Sequence, residues 1–311
     1  MTVEVLGMIG AGVITLLAGL ILLRDRFRAA SGAGRVVVLG PLFYATALAI
    51  FAAEHFFAAR SLVAVVPPWV PGHLFWVYFV GAAWLAAAVS FIAWREVRWS
   101  APLVVLLFLI IVATIDLPGV FANWHDRFSW ILAMRELSFA GGAMVLTGCV
   151  WPRANRAGAG LAGLGRGIVA ATMIFYAIEQ FLHPRHVPGV PLEKLTPAWI
   201  PAPQLLAYLV GMALLAAGIA LLIRRRIRSA AAGAGTVLLL LTVFFYIPIL
   251  VTEIHSARAV EGMNYVGDTL LFAATVLLAG FGPELLSDLK SPAEDLTSEG
   301  VEPPARVTQT T

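Results

Sequence analysis

A series of apolar runs, each about 20 residues long, constrains this chain most; that is the length at which an α-helix crosses the hydrocarbon of a bilayer. Inside hydrocarbon no water meets the backbone, so each run must satisfy its own amides as a helix. Nine such runs can be read, at roughly 3–23, 35–57, 74–94, 101–121, 131–151, 165–183, 204–223, 231–252 and 265–283. Composition agrees. The chain is 60% hydrophobic and 13% charged, with a mean hydropathy of +0.88. Soluble domains carry about 25% charged residues. The expected fold class is therefore an all-α integral membrane protein.

The charges orient the helices. One set of loops holds Arg24, Arg26, Arg28 and Arg35, then Arg95 and Arg98, then Arg153, Arg156 and Arg166, then Arg224, Arg225, Arg226 and Arg228. The alternate loops hold only Arg60, Arg127, Arg185, Lys194 and Arg258. The basic set is expected to face the cytoplasm. This gives a multi-pass protein of the inner (plasma) membrane, with its N-terminus outside and its C-terminus inside. The first run has only Glu4 before it and arginines after it, the reverse of a signal peptide. The net charge of +3 is accounted for by these loops, so nucleic acid is not an expected partner. The single cysteine, Cys149, excludes an intramolecular disulfide and a CxxC redox pair.

Shifting the chain by 130 residues brings landmarks into coincidence. Pro67, Trp69 and Pro71 fall on Pro197, Trp199 and Pro201, Tyr78 on Tyr208, Gly81 on Gly211, Arg95 on Arg225, Pro118 on Pro248, and His125 on His255. With small gaps Glu54 matches Glu179, and Glu136 matches Asp268. An even number of spans per copy leaves both copies in the same orientation, related by an axis along the membrane normal. The expected organisation is a leading helix with its basic loop (1–34), two four-helix modules (35–152 and 153–286) and a disordered acidic tail (287–311).

The candidates for chemistry cluster towards the outer face. All six histidines lie there, among them His55, His125, His183 and His255. Glu179 and His183, spaced i and i+4, share a helix face and suit one divalent metal ion. The rival reading is that these are ordinary interfacial residues satisfied by water. Glu136 and Asp268 sit inside apolar runs, where an ionised carboxylate costs about 2.5–3.5 kcal/mol or more. They read either as a proton or ligand site or as an interhelical hydrogen bond. Arg135, adjacent to Glu136, points about 100° away from it and need not pair with it. Glu54 and Glu179, each near an outer helix end, are candidates for a symmetric carboxylate pair. Trp69 and Trp199, flanked by prolines, read as interfacial anchors or as a lid over a lipid or quinone pocket.

The repeat unit resembles the DoxX-like family of four-helix membrane proteins. The resemblance rests on Glu54-His55-Phe56-Phe57, the loop from Pro67 to Pro71, the small-residue helix after Gly81, and Arg95. The second copy has Glu179-Gln180-Phe181, Pro197 to Pro201, the helix after Gly211, and Arg225. The chain departs from the family pattern where a glutamate often follows the glycine, since Ala and Leu stand here. The resemblance implies an accessory or subunit of a membrane redox system, quinone-linked, with a membrane or periplasmic redox partner. A carrier of a metal ion or small apolar molecule, and an assembly subunit without chemistry, remain as alternatives.

Overall fold

In the computed structural model of the chain, residues 1–151, 156–190, 194–282 and 285 are described. The acidic tail expected at 287–311 lies outside them. Nine long helices run through the described residues: α1 Val3–Ala29, α2 Ala33–Phe57, α3 His73–Ala93, α4 Val97–Ala122, α5 Arg127–Val150, α6 Arg156–Leu182, α7 Pro203–Leu222, α8 Ile227–Glu253 and α9 Ala259–Ala279. Each corresponds to one apolar run of the sequence. Eight are long and apolar enough to span a membrane. The exception is α5, whose N-terminal half carries Arg127, Arg135 and Glu136. The protein is thus a multi-pass, all-helical membrane protein.

Helix ends follow local chemistry. Thr2 caps α1, which ends in Arg26 and Arg28, cations suited to the negative end of the helix dipole. Asp126 caps α5, its carboxylate accepting from the backbone N–H groups of Phe128 and Ser129. Within α4 and α8 the backbone widens to π-helix at Val112–Asp116 and Thr242–Tyr246. The cause is Pro118 and Pro248, each two residues further on. Proline has no N–H to donate and its ring crowds the carbonyl four residues back, so the preceding turn opens.

These local geometries recur at the 130-residue offset. Trp94 and Glu96, between α3 and α4, are left-handed at φ 54° and 56°; Arg224 and Arg226, between α7 and α8, are left-handed at 55° and 49°. The turns closed by Val70 N–H on Pro67 O and by Ile200 N–H on Pro197 O are likewise 130 residues apart.

Helix α9 forms the centre. Helix α2 packs on α3 and α9, α5 on α4 and α6, and α9 lies against α2, α5 and α8. Of the most apolar stretch of α9, 94% is buried, against 28% for α1, which places α9 inside and α1 at the rim. The α5–α6 seam is closed by glycines. A Cβ on Gly148 would stand 2.3 Å from the Gly158 carbonyl oxygen, and one on Gly165 would stand 2.4 Å from that of Gly141. Such small-residue seams let backbones approach where lipid gives no hydrophobic drive to associate.

One irregular segment enters the bundle. Between α6 and α7 the chain forms a hairpin, joined by Val187 N–H on Lys194 O and Thr196 N–H on Arg185 O. Its buried residues Val187 and Val190 lie near Gly189, whose Cβ would touch Leu241 and Leu238 of α8. Leu241 is twelve residues from the end of α8, or about 18 Å at 1.5 Å per residue. Non-helical backbone at that depth needs protein around it. Tyr246 supplies this, its hydroxyl donating to the Pro188 carbonyl at 2.5 Å.

Candidate functional site

The polar groups that the sequence marks as intramembrane converge at the centre of the bundle. Arg135 on α5 is the hub. Its Nη1 donates to Asp268 Oδ2 of α9 at 2.6 Å, and its Nε and Nη2 donate to Glu136 Oε1 at 3.2 and 3.0 Å. The expectation that Arg135 need not pair with its neighbour is corrected here. The long guanidinium stem folds back far enough to reach Glu136, because a buried guanidinium needs acceptors for its donors. The three side chains are 10–15% exposed. Asp268 lies nine residues inside α9, about 14 Å from its N-terminal end.

Two further carboxyls face the hub. Glu54 of α2 is 6% exposed and accepts from Asn264 Nδ2 of α9 at 2.8 Å. Asp116, in the π-turn of α4, is 8% exposed, and its Oδ2 is buried with no hydrogen-bond partner. All four carboxyls interact electrostatically with Arg135. One guanidinium therefore stands among four carboxyls. Tyrosines border the cluster: Tyr44 donates to the Phe139 carbonyl at 2.9 Å and Tyr176 to the Ile131 carbonyl at 3.0 Å, fixing α2 and α6 against α5.

The remaining candidates are distributed differently. Glu179 does not join Glu54; its Oε2 accepts from Arg127 Nε at 2.5 Å. The two glutamates lie on matching helices, but each is engaged by a different neighbour. That ion pair also occupies the carboxylate expected to share a metal with His183. The His183 ring lies 5.8 Å from that of His186. His55 contacts the Phe51 carbonyl at 2.7 Å. His125 accepts from Trp124, and His255 lies 3.2 Å from the N-terminal amine of Met1. Among the described residues no three His, Cys, Asp or Glu side chains are grouped to hold a metal ion. Trp69 and Trp199 are 71% and 51% exposed, as interfacial anchors would be. Cys149 is a buried free thiol.

Sequence reasoning missed three members. Arg135 was passed over because adjacency argues against pairing with Glu136 and says nothing of Asp268. Asp116 stands near the end of its apolar run, where an acid draws no notice. Asn264 carries no charge to draw attention. A second polar group lies at the C-terminal end of α8, where Lys194 Nζ donates to Glu253 Oε1 at 2.5 Å and sits 4.9 Å from the Tyr265 ring centroid.

Electrostatics outside the membrane is simpler. The Ser129 hydroxyl and the N–H groups at the start of α5 hold the Asp126 carboxyl below its ordinary 3.8. Compared with protein-family models, with curated proteins and with solved structures, the chain finds no match.

Proposed function

We propose that this chain is a DoxX-like plasma-membrane protein of two tandem four-helix modules, and that it serves a quinone-linked redox system by holding and releasing protons at the Arg135 cluster. One observation carries the reading: four carboxyls face one guanidinium in a core surrounded by hydrocarbon. An uncompensated carboxylate there costs about 2.5–3.5 kcal/mol or more, so the excess carboxyls are tolerated when they carry protons. Reducing a quinone to a quinol takes up two electrons and two protons, and oxidising the quinol returns them. A buried carboxyl store supports that exchange without exposing the quinone to water.

The module organisation draws support from the 130-residue recurrence of π-turns, left-handed linkers and proline turns. The arginine-rich loops favour a cytoplasmic location for that face, with the N-terminus outside and the C-terminus inside. The periplasmic or membrane partner then meets the face that carries the histidines.

The test is quinone-dependent electron flux in membranes of a strain complemented with each variant. Glu136→Gln and Asp268→Asn should each lower flux by an order of magnitude while the protein stays assembled. Glu179→Gln, which disturbs only the Arg127 pair, should leave most of it. Equal, small effects from all three would favour an assembly subunit without chemistry of its own.

A further inference from the structure

We infer, resting on that reading, that the cluster exchanges protons with one membrane face only, through a polar stripe along the outer half of α9. Glu261, Asn264, Tyr265 and Asp268 stand at i, i+3, i+4 and i+7, the spacing of a single helix face. Glu261 is exposed, Asn264 half-buried, and Tyr265 and Asp268 are buried, so the stripe leads from water to the hub. The polar contacts along it fall into three separate groups. The Tyr265 hydroxyl donates to Glu261, and Lys194 joins Glu253 to the Tyr265 ring. Asn264 holds Glu54, and Asp268 holds Arg135.

Acceptor valences stay open along the way. Glu253 Oε2, Asn264 Oδ1 and Asp116 Oδ2 are buried without hydrogen-bond partners. Open buried acceptors of this kind are what ordered water bridges. Every element packed on Asp268 contributes a titratable or charged group: Glu54 from α2, Arg135 and Glu136 from α5, Tyr176 from α6 and Tyr246 from α8.

The inner half offers no charged counterpart; among the described residues of α9, its buried polar atoms without a partner are the Thr269 and Thr275 hydroxyls. Residues 40–53 of α2, 137–150 of α5, 167–178 of α6 and 269–279 of α9 contain no carboxylate, histidine, lysine or arginine. The hydroxyls of Thr46 and Thr147 are turned onto carbonyls of their own helices. From Asp268 to the end of α9 is eleven residues, about 16 Å along which α9 offers only the Thr269 and Thr275 hydroxyls as polar side-chain groups. The cluster therefore opens towards the Lys194 and Glu253 face and is closed towards the arginine-rich face.

Infrared spectroscopy of the reconstituted protein reads this directly. A protonated-carboxyl band that disappears in Asp116→Asn, Glu136→Gln or Asp268→Asn reports the cluster, and its shift on transfer to heavy water gives the exchange rate. Asn264→Leu and Tyr265→Phe should slow that exchange by at least an order of magnitude, and Thr275→Val in the inner half should not change it. Exchange insensitive to both outer substitutions, or equally slowed by Thr275→Val, would overturn the one-sided route while leaving the proton store standing. A wild-type protein with no such band at any pH would sink the proton store and the route together.

Discussion

At the scale of single residues, Arg135 does most to define the site. It satisfies two carboxylates from two helices with three hydrogen bonds. Removing one partner of a buried ion pair leaves the other uncompensated, typically at a cost of about 3–5 kcal/mol. Arg135→Leu should accordingly destabilise the protein by about that amount, measured as thermal unfolding in nanodiscs. Combining it with Glu136→Gln and Asp268→Asn should recover much of the loss, because no orphaned charge then remains. A triple variant no more stable than Arg135→Leu alone would contradict this account. Asp126 tests a different link. Its carboxyl is held below the ordinary value, so its capping contribution is present above pH 3.8 and is lost as pH falls through the depressed folded value. Asp126→Ala should flatten the acid limb of the stability profile, and Asp126→Asn should flatten it while keeping much of the cap.

At the scale of elements, the nine helices were legible because hydrocarbon enforces both length and apolarity. The α5 run was readable from its C-terminal half even though Arg135 and Glu136 interrupt the N-terminal one. The Arg135–Asp268 pair was not legible, since its partners are 133 residues apart and no helical periodicity links them. The hairpin was also hidden. Its trace in the sequence is a change of offset: Glu54 matches Glu179 at 125 residues, whereas Pro67 matches Pro197 at 130. Five additional residues fall where the hairpin enters. Tyr246→Phe tests its anchorage, because the Pro188 carbonyl would lose its buried donor at about 1–3 kcal/mol. The expected outcome is faster amide exchange or proteolysis within 185–196 while the helices stay protected. Gly148→Val tests the α5–α6 seam. The branched side chain has no room beside the Gly158 carbonyl, and overpacking of this kind costs about 1–3 kcal/mol.

For the whole molecule, the sequence pattern implies a polarity that labelling can check. Single cysteines placed at Arg26, Glu96 and Arg226 in a Cys149→Ser background should react with an impermeant thiol reagent from one side. Cysteines at His125, Glu261 and His255 should react from the other. Labelling of Arg26 and Arg226 from opposite sides would break the proposed parallel arrangement of the modules. The candidate site was half visible in the sequence for a related reason. Glu136 and Asp268 announce themselves as acids in apolar runs, but convergence is a property of packing between α2, α4, α5 and α9.

The adjacency of Arg135 and Glu136 has a consequence for biosynthesis. Asp268 emerges from the ribosome 133 residues after Arg135, which at about 5–20 residues per second is a wait of roughly 7–27 s. Through that interval α5 must reside at the translocon or in lipid with its later partner still untranslated. The neighbouring glutamate gives the arginine a built-in counter-ion for the wait, and α9 then completes the pair when it arrives.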